Sequence, residues 1–545
     1  DLPGGSVAEY SVLDSNFNAI CTFMAVPGLT TVIGETLINE KRFTHEQFAG
    51  VWQTTSETDV ARDNATTTMT YSPTSGFLTG RTMPSITAAN SGSGAVIPSQ
   101  VETFTYDAVN KKRINTETRK DGQNGTIAVT NTYDNFDYPA TRVEVGSCDT
   151  HTTLMTFNAF GQEIQRTNVD GYVTVKVFDQ TGHANNGSGL LLGQHTFASG
   201  GSGPVLQQTR YFYYTSGSSR GRLERIEIAD HEGSFTLGAP AGWQVTTLVY
   251  DAYGRVTTKT TTHTTKAGTH VWTYAYDFQD RFKQIAYPGG LWIRTAREGR
   301  GLTVNDYVGS GGDLSAGTGG TITLTNTYSF NANDKLIDRL NQSAAGLPNH
   351  TTYTYDLYNR RTFQTDADNG TVGYDIVTGY EYNAGMDVIR ETVREGAAGP
   401  FRADIRHDFD ELGRVWLERI LAVPGTLNNN ADRITTTTFD VRGNEVATRV
   451  TDTVVGDALT TRVFTCFDLQ DSTTVTLNNT ETAFTDFTTD RRGQVTVVID
   501  PVLHRTEHDY DAAGRRIQTR YLERVGVSDV LQLREDTVYT SRDQR

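Results

Sequence analysis

Cysteine is scarce: only Cys21, Cys148 and Cys466 occur in 545 residues. They are far apart, odd in number and without CxxC spacing. That excludes a disulfide framework and a zinc ribbon as the basis of the fold, and leaves three small side chains expected to be buried. Basic charge is also short, since 48 Lys and Arg against 64 Asp and Glu give a net charge of -16. A nucleic acid or an anionic membrane needs a basic footprint, so neither is an expected partner. The longest apolar run, Ala19 to Leu29, is broken by Thr22 and Pro27. It falls well below the ~20 residues of a membrane-spanning helix, so no membrane insertion is expected. No signal peptide is visible either, and Asp1 reads as a processed or truncated start. No GxSxG, P-loop, dinucleotide fingerprint or Cys-His nucleophile pattern occurs, so no catalytic residue and no cofactor is expected and a catalyst is the less favoured reading.

What remains is polar yet rich in aromatics. Hydrophobic residues make up 36%, with 25 Tyr and 24 Phe, and mean hydropathy is -0.45. That balance lies outside the disordered class and suits a sheet with a wet face. One phrase organises the chain, seen most fully in His504 to Tyr521, where Tyr510-Asp511 is followed by two small residues and then Gly514-Arg515. Asp at the first position of a type I turn accepts a hydrogen bond from the backbone two residues on, and Gly at the fourth enters the left-handed region freely. Such a tip closes an antiparallel hairpin with a bulge at the glycine. Tyr250-Asp251 with Gly254-Arg255 repeats the phrase, and Phe409-Asp410 with Gly413-Arg414 differs only in the aromatic and the middle residues. Weaker copies recur every roughly 20 to 30 residues, the signature of a repeat architecture.

These motifs, with Asp500-Pro501 leading through Thr506 to Tyr510-Asp511, resemble the YD-repeat or RHS-repeat family over about residues 66 to 545. The resemblance implies an all-β spiral of antiparallel β-hairpins forming a hollow shell or part of one. Such shells occur in toxin-encapsulating proteins, in the cocoon of insecticidal toxin complexes and in cell-adhesion teneurins. It also implies that residues 1 to 65 form an N-terminal plug or an incomplete repeat. Within them Phe43, Gln47, Phe48 and Val51 have helical spacing, so a short helix is expected over Asn39 to Trp52. The family's toxin shells carry an Asp-Pro-x-Gly autocleavage signature; here Asp500-Pro501 is followed by Val502 and Leu503, and the glycine is missing.

Two motifs point to metals and do not hold up. His504-Arg505-Thr506-Glu507-His508 has the order of an inverted zinc-protease motif, which works only on a helix. In a strand the two histidines lie about 13 Å apart at ~3.3 Å per residue, too far to share one zinc. Asp366 to Gly370 resembles part of a calcium loop, but the Gly falls one place early and Val377 stands where the Glu belongs. The Gly- and Ser-rich stretches Thr181 to Gly193, Ser199 to Gly203 and Gly309 to Gly320 are read as rim loops.

The expected function is a container, scaffold or extracellular interaction surface, exported or displayed at a cell surface. Its partner would be protein cargo or a neighbouring protein. A carbohydrate-binding or polysaccharide-cleaving protein is the alternative, because exposed Tyr and Trp on sheets suit sugar stacking. The expected shell is small. At about 16 Å² per strand residue, roughly 400 residues tile a closed surface about 22 Å in radius.

Overall fold

The computed structural model describes the chain apart from residues 1–7, 16–17, 26–37, 61, 108–112, 122–124, 180–188, 199–202, 231–235, 312–320, 344–348, 368–374, 428–430, 453–455, 479, 511–513 and 538–545. Thirty-nine strands run from Ala8–Leu13 to Ser528–Asp536, with a single 3-10 turn at Ala88–Asn90 and no α-helix among the described residues. Each strand pairs antiparallel with the next in sequence, as in Trp243–Tyr250 with Val256–His263, and Val256–His263 with His270–Tyr276. The fold is thus one long meander of hairpins in a single sheet.

The local reason is period-2 patterning. In Thr150–Phe157, exposed and half-buried residues alternate without a break. Threonine suits this surface, and facing threonines bond across the ladder: Thr58 with Thr66 at 2.9 Å and Thr246 with Thr261 at 3.2 Å. Asn39 to Trp52 is not helical. It spans two strands, Ile38–Phe48 and Val51–Asp59, because half-buried Lys41, Phe43 and His45 alternate with exposed Arg42, Thr44 and Glu46. Ala49 and Gly50, at φ 50° and 82°, make the tight two-residue turn between them. Residues 1 to 65 therefore contribute strands to the same ladder, and Val51–Asp59 pairs directly with Ala65–Tyr71.

Few side chains are buried. Among the described residues thirteen apolar side chains are buried against sixteen polar ones, the reverse of a packed core. Every described strand belongs to one sheet, which winds back to meet its own rim. The turn after the sixth strand, at Thr87 and Asn90, touches Glu411 after the twenty-ninth. The turn after the tenth strand is joined to that after the thirty-third by a Cys148–Cys466 disulfide, Cα–Cα 5.9 Å. This corrects the expectation of unpaired cysteines: a pairing 318 residues apart leaves no local spacing to read and exists only because the ribbon completes a circuit. Only Cys21 is free. At ~4.8 Å per strand, about 23 strands per circuit give a wall roughly 110 Å around and roughly 18 Å in radius. Side chains ~5 Å deep leave a lumen about 25 Å across.

Candidate functional site

The repeated phrase is a clasp between neighbouring hairpins. At the tip joining Trp243–Tyr250 to Val256–His263, Asp251 N donates to Arg255 O at 2.9 Å and Gly254 N to Asp251 O at 3.0 Å. Asp251 Oδ1 accepts from the backbone N–H groups of Tyr253 and Arg255 at 2.9 and 3.0 Å. Gly254, at φ 84°, occupies the left-handed position, and the register shifts by one residue before Tyr250, a G1 bulge. The Tyr250 hydroxyl reaches backward, donating to Leu223 O at 2.8 Å, the first residue of strand Leu223–Ala229 in the preceding hairpin.

Arg255 reaches forward. Its Nε holds Asp251 Oδ2 at 2.7 Å, while Nη1 donates to Asp280 Oδ1 at 2.8 Å in the next tip. Its guanidinium also lies 4.7 Å from the Tyr276 ring centroid. The arrangement recurs. Tyr276, Tyr355, Tyr382 and Tyr510 each donate at 2.7 Å to the carbonyl of the first residue of the strand that leaves the preceding tip, at Val256, Leu336, Arg361 and Val495. Arg360 likewise joins its own Asp356 at 2.7 Å and Asn383 O at 3.1 Å in the next tip.

The electrostatics follow. The Arg255 backbone N–H, then the Arg255 side chain and the Tyr253 N–H, hold the Asp251 carboxyl below the ordinary value of 3.8 against a partial desolvation that pushes it up. Burial raises the Tyr250, Tyr276 and Tyr510 hydroxyls above the usual tyrosine value, so they remain protonated donors at neutral pH.

Phe409 lacks the hydroxyl, but the rest of its tip is the same. Asp410, almost fully buried, binds Arg414 Nε at 2.8 Å, and Arg414 lies 4.1 Å from the Phe439 ring centroid. Gly413 is at φ 77°, which strains any side chain, and a Cβ there would displace the Arg62 guanidinium, whose Cζ lies 2.4 Å from its position. In the last copy Tyr510 and Gly514 (φ 81°) flank the turn, Arg515 precedes strand Arg516–Val525, and Asp511 lies outside the described residues. The Asp500 turn has the same backbone bonds with Leu503 at φ 67° in the glycine position. His508 sits in strand Arg505–Tyr510 with its ring 3.3 Å from Thr519 Oγ1, while His504 lies 3.6 Å from Asp500. Among the described residues no three His, Cys, Asp or Glu side chains gather to hold a metal ion; residues 368 to 370 of the calcium-like stretch lie outside them.

Sequence reasoning missed the seam between circuits. Partners there lie 316 to 342 residues apart. Arg62 Nη2 meets Asp387 at 3.5 Å, Arg442 Nη1 donates to Lys120 O at 3.3 Å, Arg491 pairs with Asp149 at 3.1 Å and Arg492 with Asp170 at 3.0 Å. The His151 and Phe467 rings stack at 3.9 Å beside the disulfide. Glu411 is pushed up by burial, but the hydrogen bonds from Thr87 and Asn90 outweigh that and hold it below its ordinary value. In each pair a tip of the repeated phrase docks on a turn at the opposite end of the earlier hairpins. The one local hint is the extra basic residue in Asp490-Arg491-Arg492-Gly493.

No protein-family model matches the chain, and no curated protein matches it. Solved structures do. A crystal structure of TcdB2-TccC3-Cdc42 is similar over 98% of this chain and 29% of that chain, with TM-score 0.52 and 11% identity. A structure of the Photorhabdus luminescens Tc holotoxin pore aligns over 97% and 29%, at TM-score 0.49 and 10% identity. The first likeness is one of fold: the chain has an RHS-like, all-β hairpin-repeat architecture and spans less than a third of the chain it matches. No helix among the described residues is long and apolar enough to cross a membrane.

Proposed function

We propose that this chain is part of a YD/RHS-repeat shell, an exported container that encloses polypeptide. The observation that carries the reading is the seam: a ribbon clasped to itself one circuit on makes an enclosure, not an open platform. The scarcity of buried apolar side chains supports a wetted interior. The Cys148–Cys466 disulfide favours an oxidising compartment, hence a secreted or cell-surface protein. The clasp residues Tyr250, Asp251, Gly254, Arg255, Phe409, Asp410, Gly413, Arg414, Tyr510 and Gly514 serve the wall.

The lumen sets the cargo. A folded unit of about 40 residues has a radius of gyration near 9 Å and fits a space about 25 Å across, whereas a 100-residue domain near 13 Å does not. Cargo here is therefore an extended chain or a very small fold. Refolding the chain with a fluorescent unfolded peptide of about 40 residues tests this, followed by protease challenge. The peptide should be retained and protected, and a folded protein of 100 residues should be excluded. Equal protection of both, or of neither, contradicts the reading.

A further inference from the structure

In a meander, alternate connections lie on opposite rims. The clasp tips follow odd-numbered strands and share one rim; the turns after even-numbered strands form the other. At the seam, tips of the later circuit sit on turns of the earlier one with a constant offset. The tip of Asp387, after the twenty-seventh strand, meets the turn of Arg62, after the fourth. The tip of Arg492, after the thirty-fifth, meets the turn of Asp170, after the twelfth. Middle residues of these tips are covered, Cys466 to 1% exposure and Glu411 to 6%. The corresponding residues of first-circuit tips are open and aromatic: Phe136, Phe160, Tyr253 and Phe278 are 65 to 90% exposed.

A second open row stands on the opposite rim of the last circuit. Val423 and Leu427 are 59% and 54% exposed, Val502 and Leu503 are 65% and 60%, and Val527 is 88%. Single exposed apolar residues are ordinary, so exposure alone says little. The spacing says more. Phe160, Tyr253 and Phe278 follow the eleventh, seventeenth and nineteenth strands, and the three apolar turns follow the thirtieth, thirty-sixth and thirty-eighth. Each turn is nineteen strands on from a tip, and both rows run in the same order along the ribbon, as tips and turns do at the seam. At ~4.8 Å per strand, both rows place their apolar residues about 29 Å and then about 10 Å apart. The same offset carries Phe136, after the ninth strand, to exposed Ala397 and Ala398, after the twenty-eighth, whose short side chains leave room for a ring. Within one chain the rows do not meet, because the winding sets tips on turns twenty-three strands earlier.

A second copy brings all of these residues together at once. We propose that copies of this chain stack head to tail, the aromatic tips of one seated on the apolar turns of another's last circuit, continuing the seam from molecule to molecule. The two rows are different patches, so the contact is heterologous and leaves one row free at each end of a pair.

Sedimentation velocity of the whole chain tests this, at an ionic strength high enough to screen its net charge of -16. Concentrations from on the order of 0.1 µM to on the order of 100 µM reach the weak end of protein interfaces. Mass should rise from the 60.0 kDa of one chain to multiples of it. Phe160→Asp with Phe278→Asp should weaken association by on the order of tenfold or more, and so should Leu427→Asp with Val527→Asp. All four side chains are exposed, so the far-ultraviolet spectrum should not change; Tyr253→Ser and Val502→Ser stand in for a variant that misfolds. Mixing the two double variants restores one intact interface and should give a dimer and nothing longer. A parent chain that stays monomeric throughout overturns the proposal. So does association that either double variant leaves unchanged, or a mixture that stays monomeric.

Discussion

Breaking the Cys148–Cys466 bond should loosen the seam and nothing else. The crosslink closes a loop of 318 residues, for which the chain-entropy relation gives a ceiling of about 5 to 6 kcal/mol. The contacts that remain are weaker. Arg491 and Asp149 are both more than a third exposed, and a screened pair of that kind contributes at most about 1 kcal/mol. Arg492 with Asp170 is better shielded, as is the His151–Phe467 stack. Cys148 is exposed while Cys466 is 1% exposed, so a small dithiol reaches the bond from the Cys148 side. A chain of this length does not unfold in one step, so a global unfolding free energy is the wrong readout. Hydrogen exchange resolves the seam locally. On reduction, or in Cys466→Ser, amides of the turns at 146–149 and 465–469 should exchange about 10² to 10⁴ times faster, the upper figure following from the ceiling above. Strands Trp243–Tyr250 and Leu291–Arg297, which make no seam contact among the described residues, should not change. Unaltered protection at the seam, or a uniform loss across the chain, would refute the winding.

Tyr250→Phe removes one hydroxyl donor to Leu223 O and should lower local stability around both hairpins by about 1 kcal/mol, read by exchange at 223–229. Leu503→Gly relieves a left-handed leucine and should slow amide exchange across the 500–504 turn, a local gain of about 1 kcal/mol. Gly413→Val should do the opposite, since it places a β-branched residue at φ 77° and displaces the Arg62 guanidinium that bonds Asp387. Stability should fall in two stages as pH drops. Burial depresses His195 and His508 below 6.5. Asp404 is pushed up by burial, but bonds from Arg390, Gly425 N and Arg406 hold it below 3.8, and Asp251 lies below 3.8 as well. For every one the folded value lies under the unfolded one, so its contribution is full above the unfolded value and is lost as pH falls through the folded one. Exchange protection around His195 and His508, corrected for the intrinsic pH dependence of exchange, should decline below pH 6.5, and that around Asp404 and Asp251 below 3.8; a rise in either window would contradict the assignment.

The hairpins were legible because their tips are written in residues with a local physical reason. Asp251 caps its own turn, and Gly254 or Gly413 occupies a conformation others resist. Less legible are tips where Asp280, Asn359, Met386 or Leu503 takes the left-handed position, since the ladders on either side enforce it. The stretch around Phe43 misled because one helical spacing coincided with a period-2 strand, and the deciding signal was Gly50. Tyr250 and Arg255 announced themselves by recurrence, but their reach to the preceding and following hairpins appears only in three dimensions. The seam was illegible. Arg62 and Asp387, or Cys148 and Cys466, meet after a whole circuit, and no spacing within a repeat encodes the length of that circuit.

An experimental density map of the intact chain tests the central claim most directly. It should show one continuous wall of sequential antiparallel strands, a later circuit seated on an earlier one with Cys148 bonded to Cys466 between them, and a lumen about 25 Å across. Two sheets packed face to face about 10 Å apart over an apolar interior would contradict it.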